Sequence, residues 1–197
     1  MSRPEVLIVG CGALARELVG LTRDVPGVEI ALLPAILHNR PEGIPGAVRD
    51  RIREERASGA YARILVAYAD CGTGGLLDRV CEEEGVERLP GAHCYEVYAG
   101  RAAFAALHEE EPGTFYLTDF LVRAFEALVW QGLGLDRHPG LRDVYFGNYR
   151  RVLYLAQSPD PELVERARAA AQRLRLTFEL RDTGTGELGE AVRRIAA

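Results

Sequence analysis

Three times in its first seventy residues the chain runs through a short apolar segment, meets a turn and then takes up helical spacing. Val6 to Val9 ends at Gly10, and Leu14, Leu18 and Leu21 then share one helical face until Pro26-Gly27. Ile30 to Leu37 is a second run, broken by Pro34 and therefore short or irregular as a strand. The next helix starts near Pro45, runs to about Ala57 and turns Val48 and Ile52 inward. Arg63 to Tyr68 is the third run, followed by the glycine-rich turn Cys71-Gly72-Thr73-Gly74-Gly75 and a helix through Cys81 to Gly85. Unbroken apolar runs of this length read as strands buried on both faces, the habit of parallel sheets covered by helices.

Val86 to Leu89 predicts a fourth, short strand. Helical pattern then covers His93 to about Leu107, and a long amphipathic helix runs from about Leu117 to Trp130, with Leu121, Phe125, Leu128 and Val129 inward. Arg151 to Ala156 and Thr177 to Leu180 predict strands, Pro161 to Leu174 and Glu187 to Ile195 helices. The resulting order predicts an α/β fold, a Rossmann-like, mainly parallel sheet with helices on both faces. At 197 residues the chain suits a single α/β domain over 1–197, divisible into similar halves at 1–110 and 111–197.

Charge and composition remove several classes of function. The net charge of −5 comes with positive residues scattered along the chain, not the basic footprint that nucleic acid requires. All 24 basic residues are arginine, which excludes a Schiff-base lysine, a pyridoxal-phosphate anchor and the lysine of a phosphate-binding loop. No apolar run approaches the roughly 18 residues of a membrane span. The N-terminus lacks the pattern of a signal peptide, so the expected location is cytoplasmic, without a membrane partner. Cysteines in that setting are expected to be free, metal-bound or catalytic.

The chemistry gathers at the strand ends. Parallel sheets bind ligands beyond the carboxyl ends of their strands. Here Cys11 follows the first strand, His38 the second, Cys71 the third and His93-Cys94 the fourth. Cys11, Cys71 and Cys94 are candidate thiolate ligands, with His38 or His93 completing the shell. That donor set suits zinc, or alternatively iron or an iron–sulfur cluster. Cys81 falls inside a helix and reads as core; His108 and His138 read as exposed. The turn Gly10-Cys11-Gly12-Ala13-Leu14-Ala15 fits the dinucleotide fingerprint G-x-G-x-x-A. However, His38-Asn39 stands where that fold needs an acidic residue for the ribose, so a nicotinamide cofactor is disfavoured. A cysteine ahead of a helix N-terminus is expected to have a lowered pKa. Gly12, Gly72, Thr73, Gly74 and Gly75 offer backbone N–H groups to a small anionic substrate. Asp70 is a candidate catalytic neighbour of Cys71, as an orienting group, or else a helix cap.

The segments Cys11-Gly12-Ala13-Leu14, Leu37-His38-Asn39, Tyr68-Ala69-Asp70-Cys71-Gly72-Thr73-Gly74-Gly75 and Pro90-Gly91-Ala92-His93-Cys94-Tyr95 resemble domain-of-unknown-function family 1638. Pro112 to Phe120 and Tyr145-Phe146-Gly147-Asn148-Tyr149 extend the resemblance to nearly the whole chain. It implies no defined activity. Members often encoded near corrinoid-dependent methyltransferases imply a role in one-carbon or corrinoid metabolism, with a corrinoid protein or methyltransferase as partner. Three expectations follow. The first is a metalloenzyme acting on a small anionic substrate by group transfer or cofactor handling. The second is a metal-free thiol enzyme with Cys71 as nucleophile and His38 or His93 as base. The third is a non-catalytic metal or corrinoid accessory protein.

Overall fold

A computed structural model describes residues 5–59 and 61–197. It divides into two compact units, one comprising the chain through Val97 together with Thr185–Ala197, the other Tyr98–Gly184. In the first, β1 (Val6–Cys11) leads through a 3-10 turn at Gly12–Leu14 into α1 (Ala15–Thr22). Next, β2 (Val28–Leu33) leads through 3-10 turns at Ala35–Asn39 and Pro41–Gly43 into α2 (Ile44–Ala57). Then β3 (Arg63–Ala67) precedes α3 (Leu76–Glu84), and β4 (Glu87–Arg88) precedes α4 (Cys94–Ala99). The strands pair in parallel in the order β2-β1-β3-β4.

Every residue of β1 is buried, and Ile8 and Val9 are fully covered. Burying each such side chain stabilises the fold by about 2 kcal/mol. The first glycine of the β1 turn is a packing residue. A Cβ on Gly10 would lie 2.5 Å from Leu18 Cδ1, so only glycine lets α1 close onto β1. From β1 the chain steps to β2 and then returns past β1 to β3. Strand order therefore reverses between β1 and β3, which is where an open α/β sheet forms its ligand crevice.

The second unit contains α5 (Arg101–Glu110), β5 (Thr114–Leu117), α6 (Asp119–Phe125) with a π-helical continuation to Gln131, and α7 (Leu141–Phe146). It closes with β6 (Arg151–Ala156), α8 (Pro161–Leu174) and β7 (Thr177–Asp182). Its sheet is also parallel, in the order β5-β6-β7. Val152, Tyr154 and Ala156 of β6 form its core with Leu163, Ala167 and Leu174 of α8. The chain then returns to the first unit as α9 (Gly186–Ala196), packed against α1 and β3. No helix among the described residues is long and apolar enough to cross a membrane.

The fold is α/β with parallel strands, as expected, but divided into two sheets. The boundary falls after Val97 instead of at 110/111 because α5 is tied to the second sheet. Buried Arg151 of β6 donates to Leu107 O at 3.0 Å and to Thr114 Oγ1 at 2.8 Å, and pairs with Glu110. The long helix expected from Leu117 begins instead at Asp119, and the residues before it form β5. Thr118 is the N-cap, its hydroxyl accepting from Leu121 N at 3.3 Å. Pro34 ends β2 and starts the turn that carries His38.

Asp119, fully buried, anchors the carboxyl end of the second sheet. It accepts hydrogen bonds from Tyr154 Oη at 2.6 Å, Gln157 N at 3.0 Å and Ser158 N at 3.1 Å. Replacing it with alanine strands these donors in the core and is expected to cost about 3 kcal/mol, read from urea denaturation. A loss below about 1 kcal/mol would show that solvent or another acceptor reaches them.

Candidate functional site

Cys11 is the last residue of β1 and is buried. Its sulfur accepts a hydrogen bond from Ala13 N at 3.3 Å, closing the 3-10 turn that follows. Gly12 is next to a passing backbone: a Cβ there would lie 3.0 Å from Leu33 O and 3.1 Å from Ala35 N. Its absence lets the segment after β2 approach the β1 turn, and so brings His38 to Cys11. His38 Nδ1 lies 3.9 Å from Cys11 Sγ and 3.0 Å from Ala35 O. A proton on Nδ1 satisfies the Ala35 carbonyl and fixes the ring.

The Cys71 turn is built around its own carboxylate. Asp70 accepts from Thr73 Oγ1 at 2.7 Å, Gly75 N at 2.9 Å and Gly74 N at 3.2 Å. Burial works against this charge, but the Gly75, Thr73, Gly74 and Gly72 donors outweigh it and hold the Asp70 pKa below the usual carboxylate value. Asp70 therefore shapes the turn, and it is not among the residues lining the cavity described below. Of the N–H groups expected to receive a substrate anion, those of Gly74 and Gly75 are directed at the Asp70 carboxylate and that of Thr73 at the Asp70 carbonyl. The turn also holds Cys71 at φ +52°, a left-handed conformation that a non-glycine residue adopts at a cost of about 1 kcal/mol.

The β3 and β4 loops are bonded to one another. Asp70 N donates to Gly91 O at 3.0 Å and Cys71 N to Ala92 O at 2.8 Å. Behind them Arg88 grips Asp78 with two nitrogens, at 2.6 and 2.9 Å, and donates to Leu89 O at 2.7 Å. Cys94, two residues beyond Ala92, opens α4. This lattice sets Cys94 beside Cys71.

The three thiols and His38 line one small cavity together with Tyr68, Ala13, Leu14, Ala69, Leu89 and Val97. Its volume is about 20 Å³, on the order of a single water or ion. The walls are otherwise apolar, and this dominates the thiol chemistry. Burial, then the nearness of Cys11, pushes the Cys71 thiol up to about 12. Burial likewise raises Cys94, with Cys71 and Cys11 adding to the effect, and raises Cys11 despite the N–H of Ala13. The lowered pKa expected ahead of a helix N-terminus is therefore reversed. A three-residue 3-10 turn follows Cys11, and α3 starts only at Leu76, while a helix dipole decays within its first turn.

Tyr68 was not singled out in the sequence as a site residue. It is fully buried immediately after β3, with its ring centroid 6.1 Å from that of His38 at an interplanar angle of 14°. Its hydroxyl makes no hydrogen bond of ordinary geometry among the described residues, though it does interact with the Cys11 sulfur. Burial is the first cause that raises its pKa, and the neighbouring Cys11 and Cys71 thiols add to it. Leaving a buried hydroxyl unpaired costs about 1–3 kcal/mol. The signal in the sequence was a tyrosine closing the apolar stretch Ile64 to Ala67, since a buried tyrosine ordinarily finds a partner for its hydroxyl.

Of the predicted donors, Cys11, His38, Cys71 and Cys94 converge on the cavity. His93 does not line it; its ring packs on Tyr95 at 5.1 Å. Cys81 is buried in α3 away from the cavity, and His108 and His138 are exposed. Among the described residues, no group of three or more His, Cys, Asp or Glu side chains is arranged so that it could hold a metal ion.

No curated protein and no solved structure matches the chain. A family match spans residues 32–192, which include His38, Asp70, Cys71, His93 and Cys94 but begin beyond Cys11. Extending over most of the chain, that match makes it a member of the family described as "Protein of unknown function (DUF1638)".

Proposed function

We propose that the protein binds one soft transition-metal ion, zinc before iron, through the thiolates of Cys11, Cys71 and Cys94, with His38 at the fourth position. The observation that carries this reading is the convergence of three thiols and one imidazole, from four separate strand ends, on one ion-sized cavity. Raised above their ordinary pKa by burial, the thiols are neutral and do not repel one another. A cation binding among them would displace their protons and take them as thiolate ligands. The size of the cavity favours a mononuclear site, because a cluster of several irons and sulfides needs more room.

His38 favours the fourth position over His93 because it lines the cavity and is itself exposed. A labile imidazole on a surface turn is the donor that a substrate can displace, which is the open position of a reactive zinc site. The small anionic substrate is then a ligand of the ion, since the glycine loop is filled by Asp70. A thiolate-bound zinc activating a thiol or accepting a group in transfer is compatible with the corrinoid-linked role that the family resemblance implies. The metal-free thiol nucleophile is less favoured. Cys71 is neutral at physiological pH, and the imidazole at the site is next to Cys11.

Anaerobic titration of the metal-free protein with cobalt(II), as a spectroscopic substitute for zinc, tests the reading. Intense sulfur-to-cobalt charge-transfer bands saturating at about one ion per chain are expected for a tetrahedral thiolate site. Absence of such bands, with all thiols reduced, overturns it.

A further inference from the structure

The Tyr68 hydroxyl meets the Cys11 sulfur at the cavity without forming a hydrogen bond of ordinary geometry. The ring is completely buried and stacked beside His38, and a phenylalanine would fill the same space without burying an unpaired hydroxyl. Its side chain shares the cavity with all three thiols, and the Cys11 sulfur is the first of them to act on it. A neutral thiol is a weak acceptor, whereas a metal-bound thiolate is a strong one. The hydroxyl's bond to Cys11 is therefore weak while that thiol is neutral and strengthens when a metal makes it a thiolate.

We infer that Tyr68 is a positioning residue for the metal site, donating its hydroxyl hydrogen bond to the Cys11 sulfur once that sulfur is a metal-bound thiolate. This rests on the metal reading above and adds to it the group that orients one ligand and moderates its electron donation. Outer hydrogen bonds of this kind commonly change metal affinity by about ten- to a hundredfold. Against a neutral thiol the same hydroxyl gives the metal-free fold little, so its removal has different consequences in the two states.

The test uses Tyr68→Phe in the full chain, with cobalt(II) as probe. The metal-free variant is expected to denature at the same urea concentration as the wild type or a higher one. Its cobalt affinity is expected to fall about tenfold, with the charge-transfer band moved to lower energy because the Cys11 thiolate becomes a stronger donor. A purely structural tyrosine predicts the reverse: a destabilised metal-free protein, with band position and affinity unchanged. That result, or a variant that matches the wild type in affinity and band position, overturns the inference while leaving the metal site in place. Failure of the wild type to bind cobalt overturns the metal reading, and this inference with it.

Discussion

Cys71→Gly is expected to make the metal-free protein slightly more stable, by no more than about 0.5 kcal/mol, and to weaken zinc binding by roughly a hundredfold to a thousandfold. The stability gain follows from the backbone. Cys71 sits at φ +52°, where an L side chain is strained and glycine is not. Relief of that strain is worth about 1 kcal/mol, offset in part by the greater freedom glycine gives the unfolded chain. The binding loss follows from the ligand count. Structural zinc sites with four ligands bind with about 10–16 kcal/mol, so one ligand accounts for about 3 kcal/mol, or roughly two to three orders of magnitude. Chelator competition and urea denaturation measure the two effects on the same samples. Cys81→Ser is the control and is expected to leave zinc affinity unchanged, because Cys81 is buried away from the cavity. A Cys71→Gly protein that binds zinc as tightly as the wild type removes Cys71 from the site. Left-handed strain at a reactive position is common where surrounding structure dictates the geometry, and here the Asp70 carboxylate and the Ala92 carbonyl dictate it.

The second large effect is the slowness of the metal-free thiols. With its pKa pushed to about 12, Cys71 is almost wholly neutral at pH 8. Relative to an ordinary cysteine its thiolate fraction is lower by roughly three orders of magnitude, and the greater nucleophilicity of a more basic thiolate restores only part of this. Net alkylation by iodoacetamide is expected to be slower by roughly fiftyfold or more, and slower still through limited access. The rate should climb about tenfold per pH unit between pH 8 and 11. The same shift has a sign for stability. The folded pKa lies above the unfolded one, so the stability Cys71 contributes is complete below about pH 9 and is lost as pH rises toward about 12. Peptide mapping after timed alkylation at several pH values reads each cysteine separately. Rapid, selective modification of Cys71 at pH 7 to 8 in metal-free protein would favour the thiol-nucleophile reading instead.

How much of this was legible in the sequence follows from which signals are local. Val6 to Val9 and Val152 to Ala156 are apolar on both faces, so their burial as central parallel strands could be read directly. Strand ends then placed Cys11, His38, Cys71 and Cys94 on one edge. The four residues Thr114–Leu117 are too few to show a strand period, and the helical reading takes in the last of them, Leu117. The return of α9 to the first sheet, and the attachment of α5 to Arg151, are long-range contacts with no local trace. At the site, the glycines of the Cys71 turn suggested an anion cradle, but only the folded geometry reveals Asp70 within it. Thiol acidity was misjudged for a related reason. Proximity to a helix can be read from sequence, whereas the apolar enclosure that outweighs it comes from Leu14, Leu89 and Val97 on different segments.

Metal content is the most direct measure of the central claim. Protein isolated without oxygen or chelator should carry about one zinc or iron per chain, and the triple variant Cys11→Ser, Cys71→Ser, Cys94→Ser should carry none. Wild-type protein with every thiol reduced and less than about half an equivalent of any transition metal, before and after incubation with zinc, contradicts the account.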